Sequence, residues 1–285
     1  MKSWIRTSLA WVLAVISAYV LATLAATQSV VGRLADMGTA LVVMGKGANM
    51  VAVMNVYANS PYGMYWLKSS GMKEPKDFAG KKIGNPPWDA ARQMWPALAK
   101  KVGMDPKSVT WVNIQPNAKL QALKAKSIDI TTSFYNIHHI FKAQLGDDMG
   151  FFAWKKYGIN PYGNSIIVNG EYLAKHPKVV AAFVKVTQKA FHDCVIKPDP
   201  CIQALVDANK GLKFDNEKEN WGLVTELMSD KTSREVALGW FDPARMADDY
   251  KLVATYFKLD KPFDVKTVYT NAFLDKSIKM TEPKK

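Results

Sequence analysis

Two strand-like runs in this chain end on polar and aromatic residues able to hold a small molecule. Lys81-Lys82-Ile83-Gly84 leads into Asn85-Pro86-Pro87-Trp88-Asp89, and Ile128-Asp129-Ile130-Thr131-Thr132 leads into Ser133-Phe134-Tyr135-Asn136. Open α/β sheets bind solutes at the carboxyl ends of their strands, where helix N-termini offer free N–H groups. Pro87 and Asp89 stand where a helix from Ala90 to Val102 would start, with Asp89 at the capping position. Trp88 has the ring to stack on a planar solute or shield an anion, and Asp89 can accept from a ligand amine. The plainer alternative is that the prolines and Asp89 only start a helix while Trp88 anchors a core. Ser133, Tyr135 and Asn136 add hydroxyl and amide groups directly after an apolar strand, a placement that faces a crevice in such sheets.

Other chemistry is thinly represented. His138 and His139 are adjacent, and neighbouring side chains on a helix diverge by about 100°, so they do not converge on one metal ion. There is no Ser-His-Asp, paired-carboxylate or phosphate-loop pattern. The expectation is therefore a binding protein without catalysis, cofactor or metal.

The elements that must position these residues alternate. Beside the two runs above, Asn49 to Tyr57, Tyr62 to Lys68, Val109 to Asn113, Gly150 to Trp154 and Asn164 to Asn169 are compatible with strands. Helical patterns at Ala90 to Val102, Ala118 to Ala125 and Asn136 to Leu145 lie between them. This rhythm predicts a parallel or mixed sheet with helices on both faces. From Gly170 the pattern turns helical, at Val179 to Val195, Cys201 to Asn209, Asn216 to Met228 and Pro243 to Leu259. With 285 residues, 48% hydrophobic and 22% charged, the chain has the composition of an ordinary globular protein. Its formal charge of +13 comes from dispersed lysines without an arginine-rich stripe, which argues against a nucleic-acid partner.

Residues 1–26 stand apart. Lys2 and Arg6 precede a long uncharged stretch rich in Leu, Val and Ala, ending on small residues, which reads as a secretory signal or, given its length, an N-terminal anchor. In an exported chain the only two cysteines, Cys194 and Cys201, read as a local disulfide pinning a helix-to-helix turn; a CxxC spacing would have argued for redox or metal chemistry.

Three stretches carry a family resemblance. Lys76-Asp77-Phe78-Ala79-Gly80-Lys81-Lys82-Ile83-Gly84 resembles the start of the second lobe of periplasmic solute-binding proteins. Asp129 to Asn136, with Tyr157-Gly158-Ile159-Asn160-Pro161-Tyr162-Gly163-Asn164, resembles their second-lobe strand and return hinge. Gly239 to Met246 and Val268 to Leu274 are similar to their closing segment. The group is the ABC-transporter substrate-binding family for thiamine pyrimidine precursors, riboflavin, taurine and other sulfonates.

The resemblance implies a type II, two-lobed α/β periplasmic-binding-protein fold that closes on a small planar or anionic solute and delivers it to an ABC permease. It implies a periplasmic monomer, with residues 27–70 and 161–285 in the first lobe and its helices and 71–160 in the second. The hinge strands fall near Ser60 to Lys68 and Tyr162 to Asn169. Carried over residue by residue, the ligand set is Gly38 and Thr39 at the end of an Ala35 to Gly38 strand, Pro87, Trp88, Asp89, Ser133, Tyr135, Asn136, and Asn160, Tyr162 and Asn164 at the hinge.

Against the family's pattern the opening β-α-β unit is missing, since the segment from Thr27 to Ala40 directly follows the leader; a first lobe incomplete in this way would, without repair, leave a neighbouring strand with an unpaired edge, and a degraded or mis-started copy, a leader that folds back in place of the unit and a natural short variant each account for it. Two other functions fit the same resemblance. One is a membrane-anchored solute sensor. The other is an enzyme like the fungal thiamine-precursor synthases, which would need a cysteine-rich and histidine-bearing iron site, whereas Cys194 and Cys201 fall in the helical half, away from the strand ends.

Overall fold

The expected alternation folds into two sheets. The computed structural model describes residues 32–257, 259 and 261–281, and the leader expected at 1–26 lies outside them. The first sheet contains β1 (Gly32–Asp36), β2 (Met50–Asn55) and β8 (Asn164–Asn169) in the order β1-β8-β2, with both pairings antiparallel. The second contains β3 (Tyr62–Leu67), β4 (Lys82–Gly84), β5 (Thr110–Val112), β6 (Ile130–Phe134) and β7 (Met149–Ala153) in the order β5-β4-β6-β3-β7. Strands β5, β4 and β6 are parallel, whereas β3 runs antiparallel to both β6 and β7, so this sheet is mixed. Residues 62–67, expected as hinge, thus pair inside the five-stranded sheet. The chain passes between the sheets twice, after Asn55 and before Asn164.

Ten helices surround the sheets among the described residues: α1 (Met37–Gly45), α2 (Ala90–Lys101), α3 (Lys119–Lys124), α4 (His138–Leu145), α5 (Gly170–Lys175), α6 (Pro177–Ile196), α7 (Pro198–Ala208), α8 (Phe214–Met228), α9 (Lys231–Glu235) and α10 (Pro243–Tyr256). Beyond β8 the described chain forms no further strand, as the sequence pattern predicts. None of these helices is long and apolar enough to cross a membrane.

Helix α1 corrects an expectation. The strand ends at Asp36, not Gly38, because the Asp36 carboxylate accepts from the Thr39 N–H at 3.0 Å and caps a helix from Met37. Gly38 and Thr39 are consequently first-turn helical residues. The helix expected from Asn136 begins only at His138, after a 3-10 turn spanning Tyr135–Ile137.

One core runs across both sheets. Met37 and Leu41 of α1, Met64 and Trp66 of β3, Met94, Trp95 and Leu98 of α2, and Phe241, Met246 and Val253 form a continuous buried cluster. Helix α10 holds it together by packing on both α1 and α2. A second cluster joins β2 and β8 to α6 and α8 through Val53, Ile166, Val168, Val184 and Leu227.

The edges of the first sheet differ. Along β2, Ala52 donates its N–H to the Val268 carbonyl and accepts from the Thr270 N–H, both at 2.9 Å, so the C-terminal segment covers that side. The outer edge of β1 has no ladder partner among the described residues.

Cys194 and Cys201 form a disulfide between the end of α6 and the start of α7, with Cα atoms 5.8 Å apart. Replacing both by serine should lower stability by about 2 kcal/mol, the low end for so short a loop. The measurement is a urea melt, and the midpoint should fall without a change of slope.

Candidate functional site

The strand ends of the two sheets face each other. At the five-stranded sheet, Gly84 of β4, Phe134 of β6, Tyr62 of β3 and Ala153 of β7 lie at one end. At the first sheet the facing end carries Asp36 of β1 and Asn164 of β8, which are register partners. The direct link is the Tyr62 hydroxyl, which donates to Asp36 Oδ2 at 2.9 Å.

Asp36 is the focus of this end. Its other oxygen, Oδ1, accepts from the Thr39 N–H and, at 3.3 Å, from the Thr39 hydroxyl. Burial raises the Asp36 carboxyl above its ordinary value against these hydrogen bonds, and the charge of Asp89 adds to the rise. Burial, then Asp36 and Asp89, raise the Tyr62 hydroxyl well above its ordinary range. Gly38 belongs here for room: a Cβ on it would lie 3.2 Å from Asp36 Oδ1.

The loop after β4 supplies the opposite wall. Asp89 caps α2 by accepting from the Ala91 N–H at 2.9 Å, and its second oxygen meets the Lys119 ammonium at 3.3 Å. Lys119 is 7% exposed; burial lowers its ammonium's pKa and Asp89 opposes that. Pro87 is exposed, and Trp88 is 66% exposed, which rules out the core-anchor role.

Behind the loop, buried polar groups lack partners. Both ends of the Asn85 carboxamide, the Thr132 hydroxyl and the Trp154 indole N–H make no hydrogen bond among the described residues. Asn85 follows Gly84, the register partner of Thr131, so Asn85 and Thr132 stand on neighbouring strands. Trp154 meets the Tyr62 ring edge-on at 5.6 Å.

The remaining expected residues are placed elsewhere around the junction. Ser133 is buried opposite Gly63 of β3. Tyr135 donates its hydroxyl to Glu226 of α8 at 3.0 Å and stacks on Phe151; burial, then Glu226, pushes its pKa up to about 12. Asn136 lies half-buried in the same 3-10 turn, which packs on α8. Asn160 Oδ1 accepts from the Ser60 N–H at 2.7 Å and its Nδ2 donates to Asn59 Oδ1, stitching the two crossings together. Tyr162 is 1% exposed: its N–H donates to Asp249 Oδ2 at 2.8 Å, its hydroxyl accepts from the Asp242 N–H, and the Arg245 guanidinium lies 4.0 Å above its ring. The Asn164 carbonyl accepts from the N–H groups of Val56 and Tyr57.

Of the expected residues, Gly38, Thr39 and Asp89 thus gather around the Asp36–Tyr62 link, while Tyr135, Asn160 and Tyr162 spend their polar groups on α8 and the crossings. Asp36, Tyr62, Asn85, Lys119 and Trp154 were not singled out from the sequence. Asn85 directly precedes the Pro86-Pro87 pair and Asp36 precedes Met37-Gly38, so their signal was adjacency to residues already marked. His138 and His139 diverge, to Tyr65 and to Asn216, and no group of three His, Cys, Asp or Glu able to hold a metal occurs among the described residues.

With this geometry in hand, four likenesses are informative. A family model described as NMT1/THI5 like matches residues 18–200. The chain is 24% identical over 232 residues to a 4-amino-5-hydroxymethyl-2-methylpyrimidine phosphate synthase of Legionella pneumophila, covering 80% of this chain and 71% of that protein. Its structure is similar to the periplasmic aliphatic sulphonate binding protein SsuA of Escherichia coli, with a TM-score of 0.65 and 13% identity over 82% of this chain and 78% of that one. It is also similar to the desulfurization enzyme DSZB, with a TM-score of 0.58 and 13% identity over 87% of each chain. Identity this low shows the fold alone, a two-lobed α/β periplasmic-binding-protein fold.

Asp249 offers a test of the crossing beneath the site. It is 5% exposed, and burial pushes its carboxyl from 3.8 up to about 7 against the Tyr162 N–H and Arg245. The folded protein keeps this proton where the unfolded chain has lost it, so the contribution is fully present below about pH 4 and is lost as pH rises towards 7. Asp249→Asn retains an acceptor for Tyr162 but cannot ionise. Urea melts at about pH 5 and about pH 8 should show the variant gaining on the parent as pH rises, and a constant difference would exclude this titration.

Proposed function

The chain belongs to the NMT1/THI5-like family, and from that premise we propose that it is the solute-binding component of an ABC importer, exported to the periplasm. The single observation that carries this reading is the meeting of two sets of strand ends at the Tyr62–Asp36 hydrogen bond, with buried polar groups that have no partner among the described residues close by in the second sheet. A buried polar atom left bare costs roughly 1–3 kcal/mol, so Asn85, Thr132 and Trp154 favour a solute, or water carried with it, that completes their hydrogen bonds.

The solute is a small planar molecule. Trp88, exposed beside the α2 cap, supplies a face for a ring, while Asp36 and Asp89 favour an edge that donates hydrogen bonds. That chemistry suits an aminopyrimidine, the ring type in the name of the Legionella relative, better than a sulfonate, whose negative charge two carboxylates would oppose. In this reading β3 and residues 71–160 form the body of the second lobe, and the first sheet with the helices after β8 forms the first. Closure is a hinge motion about the two crossings, and the closed form is what a permease receives.

A second reading, a synthase, is favoured by the Legionella relative's name. Incubation with pyridoxal phosphate, iron and histidine separates the two, since a pyrimidine product would establish catalysis and displace the carrier reading.

Calorimetric titration with an aminopyrimidine and with a short alkanesulfonate tests the binding mode. The aminopyrimidine should bind more tightly, and Trp88→Ala should weaken it by about 1–3 kcal/mol. Unchanged affinity would remove Trp88 from the site. Tighter binding of the sulfonate would reverse the assignment of the two carboxylates.

A further inference from the structure

Charge is unevenly shared along the chain. Residues 71–160 carry fourteen Lys and Arg against seven Asp and Glu, whereas 161–285 carry nineteen against seventeen. Part of this excess gathers at the last turn of α2, about 18 Å along the helix from the Asp89 cap.

Three segments meet there. The Phe78 ring, from the 3-10 turn Pro75–Phe78, stacks on Phe152 of β7 at 5.9 Å, and Phe152 meets Tyr157 edge-on at 5.1 Å. Gly158 directly follows the 3-10 turn Trp154–Tyr157 and faces the end of α2, since a Cβ on it would lie 3.5 Å from Lys101 Cε. These contacts bring together Lys73 and Lys76 of the first segment, Lys101 of α2, and Lys155 and Lys156 of the second turn. All five are exposed, and none pairs with a carboxylate among the described residues. Of the chain's acids only Asp260 and Glu282 fall outside those residues. Two acids beside the lysines are turned to backbone instead: Asp77 Oδ2 accepts from the Lys73 and Glu74 N–H groups at 2.7 and 3.0 Å, and Asp105 Oδ1 from the Lys107 N–H at 2.9 Å.

A lysine ammonium is a compact, hydrated charge on a flexible stem, without the planar fork that grips a fixed carboxylate in two places. Such charges suit a surface whose anions are many and mobile. Each lysine held within a Debye length of an anionic bilayer adds to the attraction, and salt removes it. We propose that the face carrying Lys73, Lys76, Lys101, Lys155 and Lys156 docks the protein on anionic phospholipid headgroups. This face and the Asp89 cap lie at opposite ends of α2, so lipid docking and solute binding can fail separately.

Sedimentation of the full chain with vesicles of phosphatidylcholine, with and without about one-third phosphatidylglycerol, tests it. The mixed vesicles should bind at least about tenfold more tightly at low salt, and the difference should vanish at about 0.5 M salt. Lys101→Glu with Lys156→Glu should remove the difference, whereas Lys210→Glu with Lys213→Glu, at exposed positions of the helical half, should leave it within about twofold. A milder pair, Lys155→Gln with Lys156→Gln, leaves the helix end untouched and should lower the preference at least about threefold. The variants differ only in these lysines, so attachment through any other part of the chain contributes equally to all. Equal binding to both vesicles, equal loss with the two charge-reversal pairs, or displacement by glycerol phosphate at the same phosphate concentration would each overturn the proposal. So would tighter binding to polyglutamate than to the mixed vesicles, which would assign the face to an acidic protein surface.

Discussion

Two crossings of a chain between separate sheets leave buried N–H groups with no ladder to join, and the fold depends on how they are satisfied. Side chains do it. Asp249 reaches from α10 to the Tyr162 N–H, Asn160 takes the Ser60 N–H, and Asn59 spans to the Ser229 carbonyl at 2.8 Å. Arg245 then ties Asn160 and Asp230 into the same cluster while lying on Tyr162. The helical half of the chain is thus less a wrapping than a set of partners for the crossings, which fixes where the two sets of strand ends can meet.

The junction inherits its chemistry from that placement. Asp36 is at once a helix cap, the acceptor for Tyr62 and a carboxylate under the influence of Asp89. Capping holds its geometry and burial holds its charge in check, so a donor reaching it from a solute meets a fixed acceptor at little further cost in ordering. Lys119 plays the matching part for Asp89: a nearly buried ammonium beside a carboxylate limits the repulsion between the two acids.

Much of the second sheet was legible because its signals are local. The Asn85-Pro86-Pro87 run marks the end of β4, and Asp89 marks the start of α2 within a few positions. Helix α1 was not legible: Met37–Gly45 is apolar nearly all round, includes adjacent Val42 and Val43, and shows no polar face to betray a helical period. The roles of Tyr162 and Asn160 were hidden for a different reason. Their partners are Asp249, Asp242 and Ser60, dozens of positions away, and no spacing rule connects residues that meet only through the tertiary fold. Tyr135 shows the converse. Its place at a strand end was correctly read, but Glu226, which takes its hydroxyl, comes ninety-one positions later.

The two sheets also differ in how much of the chain must exist before they can close. The five-stranded sheet uses residues 62–153 without interruption, so it can assemble while synthesis continues. The other waits: β1 and β2 have no middle strand until β8 arrives at Asn164, and Ala52 has no outer partner until Val268 and Thr270 emerge. Through that interval two sticky strands remain without company, which makes the earliest part of the chain the last to settle and the natural client of whatever factor keeps it apart from its neighbours.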